Sequence, residues 1–191
     1  MIRTHDRSTW LLALAVALAG CADPGEDADT GGTASSTGEP DSTGAPACVE
    51  DDLAPDPFAG PGWDGELGAL KEPLQDEYVA STTALVLRPA KEQEFFATAK
   101  AMFPVLEANP GLIGYALAQS KKCGTVRTLA VWRDEAAMMQ FVVSDEHVAG
   151  ILKVNDYSTA GVVTSWKLPR AELPVTWEVA IARATAAAQS Y

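Results

Sequence analysis

The chain has 191 residues, with 26 acidic side chains against 14 basic ones and a formal net charge of −12. So acidic a chain carries no electrostatic footprint for nucleic acid, and anionic lipid headgroups would repel it. Any membrane attachment must therefore come from a covalent lipid rather than from charge.

The first 20 residues read as a lipoprotein signal peptide. Arg3 and Arg7 precede an apolar run, Trp10 to Ala19. That run has about ten residues, whereas a spanning helix needs roughly 20, and it suits the central region of an export signal. It ends in Leu18-Ala19-Gly20-Cys21, a bacterial lipobox in which Cys21 becomes the lipidated N-terminus. Ala22 follows where an aspartate would favour inner-membrane retention, so the resemblance to sorted lipoproteins points to the outer membrane of the cell envelope. Residues 21–47 are Gly, Ser, Thr, Asp, Glu, Ala and Pro around Cys21, with no aromatic residue. Such a segment buries too little apolar area to offset its chain entropy and reads as a disordered acidic tether.

Residues 48–77 add Leu53, Phe58, Trp63, Leu67 and Leu70 among many Pro and Gly, which predicts an irregular segment packing on the domain. Export would place Cys48 and Cys123 where disulfides persist. Cys123 lies in a hairpin turn, Lys121-Lys122-Cys123-Gly124, so a bridge would staple the end of the tether to the domain; two unpaired thiols are the alternative.

The folded domain is expected over 78–168. Thr82 to Arg88 reads as a strand. Pro89 opens a helical pattern in which Phe95, Phe96, Ala99, Met102, Phe103 and Leu106 recur at spacings of three and four. Pro104 should kink or shorten that helix, and Asn109-Pro110-Gly111 should stop it. Leu112 to Ser120 and Thr125 to Arg133 are the next strands. Asp134 caps a helix with Met138, Phe141 and Val142 on one face, and Ser144 restarts a turn bearing Val148, Ile151 and Leu152. Thr159 to Leu168 is the fourth strand. Residues 169–191 form a linker and a helix from Val175 to Ala188.

The order β-α-β-β-α-β plus a C-terminal helix is an α+β, ferredoxin-like split βαβ arrangement with an antiparallel sheet. Uninterrupted alternation along the second strand puts Ile113, Tyr115 and Leu117 on one face and Leu112, Ala116 and Ala118 on the other. Helices cover one face only. The other is expected to meet a second subunit, with the N-terminal segment or C-terminal helix as the alternative cover.

Thr128-Leu129-Ala130-Val131-Trp132-Arg133-Asp134, followed by Met138, Phe141, Ser144 and His147, resembles the antibiotic biosynthesis mono-oxygenase-like superfamily of dimeric α+β barrels. Asn109-Pro110-Gly111-Leu112-Ile113-Gly114-Tyr115 is similar to that family's link between first helix and second strand. The resemblance covers Thr82 to Leu168. It implies a possible homodimer, a small-molecule ligand and, for an active member, oxygenation of an electron-rich aromatic substrate without metal or flavin. In that chemistry the deprotonated substrate itself supplies electrons to dioxygen, and the protein supplies a dry pocket, a base and positioning.

His147 is the only histidine beyond the signal peptide and borders an apolar helix face. A neutral imidazole there can take a proton from a phenol or enol; the alternative is a half-buried residue that only packs. Trp132 can stack on a planar substrate and Tyr115 can donate a hydrogen bond, or both are core. Phe141 and Met138 are pocket wall or core. Arg127 faces away from Trp132. In haem-degrading members of the family a ligand histidine falls at Ile151, and a tryptophan stands near Phe141, so haem is disfavoured. The pocket asparagine of polyketide-oxidising members has no counterpart.

One histidine makes no two-histidine metal site, and the acidic residues lack calcium-loop spacing. Neither a phosphate loop nor a Gly-x-Ser-x-Gly elbow occurs. Cys123 acting with His147 as a nucleophile pair would need a free thiol. The sequence thus reads as a lipid-anchored lipoprotein with a cofactor-independent mono-oxygenase-like domain. The alternative is a non-catalytic module of the same fold, binding a ligand or a protein at the envelope.

Overall fold

The computed structural model describes residues 48–71 and 73–188. The signal peptide, Cys21 and the tether expected over 21–47 lie outside the described residues. Among those described, no helix is long and apolar enough to cross a membrane.

The N-terminal segment carries three two-residue strands, β1 (Ala54–Pro55), β2 (Trp63–Asp64) and β3 (Ala69–Leu70). The domain follows as β4 (Glu77–Leu87), α1 (Glu92–Glu107), β5 (Leu112–Ser120), β6 (Thr125–Trp132), α2 (Glu135–Val142), α3 (Asp145–Ile151), α4 (Val154–Tyr157), β7 (Ser158–Pro169) and α5 (Trp177–Ala188). The main sheet is antiparallel in the order β1-β5-β6-β4-β7. This is the ferredoxin-like arrangement with the added C-terminal helix.

Several boundaries move. β4 starts five residues before Thr82, because Glu77 to Ser81 also finds partners on β7. Pro89 opens a 3-10 turn, Pro89–Lys91, and α1 begins only after it. Pro104 does not end α1. It sits in the last turns, where its missing N–H costs a single bond, and its carbonyl still accepts from Ala108 at 3.1 Å.

Residues paired across an antiparallel ladder share a face, and the pairing corrects the expected alternation of β5. The register shifts between Leu112 and Gly114, a bulge that adds one residue. Leu112 and Tyr115 therefore lie together on the helix face with Ala130 and Trp132, closed over by Phe103 and Leu106 of α1 and Met138 and Phe141 of α2. Ile113 joins the opposite face with Tyr78, Ala80, Val131 and Leu168. Gly114 also faces that way, and a Cβ there would stand 2.6 Å from the Phe58 ring. Only glycine lets the N-terminal segment lie this close to the strand.

That opposite face is not bare. The same chain covers part of it, as in the alternative expectation of cover by the N-terminal segment or the C-terminal helix. Phe58 and Leu70 pack on it from the N-terminal segment, Leu173 and Val175 from the final linker. The helix α5 lies against β4 and β7 with Ala180 and Ala184 buried. Small side chains on the sheet, Ala80, Ala84, Ala116 and Ala118, make room for these layers.

The N-terminal segment also runs along the free edge of β5. Beyond the β1 pairs, Asp56 N donates to Leu117 O, Ala59 and Tyr115 exchange both backbone bonds, and Gly62 N donates to Ile113 O. Its start is clasped to the β5–β6 hairpin. Cys48 and Cys123 form a disulfide, and Asp52 accepts from the Ser120 hydroxyl and Lys122 N. Glu50 takes both ends of the Arg127 guanidinium.

Candidate functional site

Four of the residues singled out from sequence, Trp132, Tyr115, Met138 and Phe141, meet in one cluster on the helix face. His147 joins through its ring contact with Phe141. Local sequence explains how each is held. Asp134 accepts from Ala137 N at 2.8 Å and starts α2, a cap worth about 1 kcal/mol. Both this bond and the one from Arg133 keep its carboxyl below the usual range. Buried Asn109 accepts from Gly111 N and donates to Ala137 O, both at 2.9 Å, tying the turn before β5 to α2. A Cβ at Gly111 would lie 2.2 Å from that of Ala137, so the residue must be glycine for α2 to sit here. Ser144 caps α3 by accepting from His147 N at 3.4 Å.

Trp132 is 2% exposed and donates its indole N–H to Ser81 Oγ at 3.0 Å. Phe141 stacks on it at 5.6 Å between centroids, and the His147 ring lies 4.6 Å from Phe141. On the other side Tyr115 stacks on Phe103 at 5.9 Å and donates to Glu107 Oε1 at 2.8 Å. Tyr115, Phe103, Met138, Phe141 and His147 are all half-buried, so the cluster opens to solvent around its Trp132 floor.

The titration states follow from this packing. Burial, opposed only by a bond to Val142 O, holds the His147 pKa below its ordinary 6.5. Nδ1 lies 3.0 Å from that carbonyl, which can only accept. The neutral ring therefore carries its proton on Nδ1 and presents Nε2 as a bare acceptor. Tyr115 is pushed up to about 12, by burial first and by the Glu107 carboxylate second. It is a donor at neutral pH, not a base.

Sequence reasoning missed Ser81, which lay outside the expected first strand, and Glu107, an exposed residue at the end of α1 with no local signal. Phe103 was legible as core but not as the platform for Tyr115. Arg127 does face away from Trp132, and its side chain is 14% exposed against Glu50. An open groove of about 590 Å³ lies on that opposite face between Leu53, Phe58, Leu129, Trp177 and Ile181.

Residues 79–151 match the family model described as antibiotic biosynthesis monooxygenase. Among solved structures, Rv0793 from Mycobacterium tuberculosis is 22% identical over 48% of this chain and 92% of its own, with a TM-score of 0.43. SO0527 from Shewanella oneidensis is 14% identical over 49% of this chain and 93% of its own, at 0.46. A conserved protein from Methanosarcina mazei Go1 is 19% identical over 47% and 90%, at 0.43. No curated protein matches the chain. On the family match, residues 79–151 form an antibiotic biosynthesis monooxygenase domain.

Proposed function

We propose that this domain oxygenates a small planar organic molecule without a cofactor, on a lipoprotein anchored through Cys21 to the outer membrane. The observation that carries the reading is His147, whose Nδ1 is committed to Val142 O while Nε2 is free and neutral beside the Phe141–Trp132 stack. Nε2 accepts the proton of a phenol or enol stacked on the aromatic rings, and the resulting anion gives its electrons to dioxygen. The Tyr115 hydroxyl gives its one proton to Glu107, so its oxygen is left to accept a hydrogen bond from a second hydroxyl of the substrate. The Cys48–Cys123 bridge agrees with an exported protein.

The test is dioxygen uptake with a panel of hydroquinones and polycyclic phenols, using wild type and His147→Ala. Uptake that depends on substrate and is lost in the variant supports the reading. A second reading is a non-catalytic module that binds a ligand or a protein. It is favoured by the tight packing of Trp132, which leaves little of the indole for a substrate to touch. Equal ligand affinity in both proteins with no turnover in either would establish it.

A further inference from the structure

The N-terminal segment and α5 both lie on the second sheet face, and between them runs the groove of about 590 Å³. That volume falls within the roughly 300–1,000 Å³ of small-molecule sites. Its floor is Leu129 and Ala116, 1% and 3% exposed. Leu53 and Phe58 line it from the N-terminal segment, Trp177 and Ile181 from α5, and all four are half-buried. None of these side chains belongs to the cluster around Trp132, which lies on the other side of the sheet. The two charged residues at the groove are both acidic. Glu50 has no charge to spare, because Arg127 takes both its oxygens. Glu178, exposed in the first turn of α5, forms no ion pair among the described residues. The Thr176 hydroxyl keeps the Glu178 carboxyl below its usual range, so it is ionised at neutral pH.

We propose that this groove binds an organic cation with a flat apolar body, its ammonium against Glu178 and its body between Phe58 and Trp177 on the Leu129 floor. Charge selects this occupant. An anion would face two carboxylates in a chain of net charge −12. The N-terminus of α5, which would otherwise draw an anion, is already met. Thr176 Oγ1 accepts from Val179 N at 3.5 Å, and Glu178 sits in the first turn. A neutral molecule gains the apolar contact alone. A cation gains that contact together with an unpaired carboxylate and two aromatic rings. The groove is separate from the proposed oxygenation chemistry, and its ligand does not depend on that reading.

Isothermal titration calorimetry of the full chain carrying Cys21→Ser, so that no lipid attaches, tests it with naphthylmethylamine, naphthylmethanol and naphthoate. The amine should bind about tenfold tighter than the alcohol, and the naphthoate should not bind. Glu178→Gln, which replaces an exposed side chain, should weaken the amine about threefold and leave the alcohol unchanged. Ile181→Trp, which fills the groove, should remove both, with an unchanged circular dichroism spectrum to verify the fold. His147→Ala should bind the amine as wild type does. Amine binding that is absent at millimolar concentration, no tighter than that of the alcohol, or indifferent to Glu178→Gln and Ile181→Trp overturns the proposal. So does sedimentation as a dimer that Ile181→Trp dissociates, which would seat a second copy of the chain in the groove.

Discussion

Glu50 and Arg127 are joined by two hydrogen bonds of 2.7 and 3.1 Å across 77 residues of chain, with both side chains less than 15% exposed. This pair lies on the sheet face opposite the helices near the β5–β6 hairpin. Either residue removed alone leaves the other charge largely buried and unpaired. We expect Glu50→Ala and Arg127→Ala each to cost about 3 kcal/mol, and a Glu50→Met/Arg127→Met double variant to cost much less. Urea unfolding of the four proteins reads the coupling directly.

The disulfide at the same end closes a loop with a sequence separation of 75. On chain-entropy grounds its loss destabilises the native state by about 4 kcal/mol. Cys48→Ser/Cys123→Ser should therefore unfold at lower urea, and wild type in a reducing agent should match it.

Histidine 147 makes stability depend on pH with a definite sign. Its folded pKa lies below the ordinary 6.5, so between the two values the unfolded chain binds a proton that the folded chain refuses. The contribution is fully present above about pH 6.5 and is lost as pH falls toward the folded value. In His147→Phe this part of the slope should vanish. Urea midpoints from pH 7.5 downward, taken as the difference between the two proteins, separate it from the carboxylates.

Two tryptophans should answer the same substitution differently. The indole N–H of Trp132 is met by Ser81, and Trp132→Phe should cost about 1 kcal/mol. Trp166 Nε1 is buried without a partner among the described residues, with Arg183 lying 5.5 Å from the ring centroid. Trp166→Phe removes an unmet donor and should be close to neutral. Thermal unfolding of the pair decides it, and a large loss in Trp166→Phe would mean that the indole nitrogen has a partner.

The candidate site shows where reading residues in order succeeds. Trp132, Tyr115, Met138 and Phe141 were each legible as apolar positions on elements of known period, and period is a property of neighbours three, four or two residues apart. Tyr115 and Trp132 were both expected to shape one pocket, but the backbone irregularity that puts them on one face was not legible. Alternation counted from Leu112 puts the two residues apart, and the bulge beside Gly114 brings them together. The segment that abuts the bulge is distant in sequence: a Cβ on Gly114 would stand 2.6 Å from the Phe58 ring, and a Cβ on Gly60 would stand 2.3 Å from the Gly114 Cα.

By itself the sequence determined the order of strands and helices, the caps at Asp134 and Ser144, and the two cysteines available for a bridge, because these depend on local periodicity, hydrogen-bonding side chains and composition. Only the tertiary structure decided the register of β5, the cover over the second sheet face, and the ring nitrogen that His147 leaves free. The register and the cover depend on which segments from elsewhere in the chain come within reach, and local patterning carries no information about such contacts; the ring nitrogen is set by Val142 O only five residues away, through the turn between α2 and α3, which periodicity does not encode.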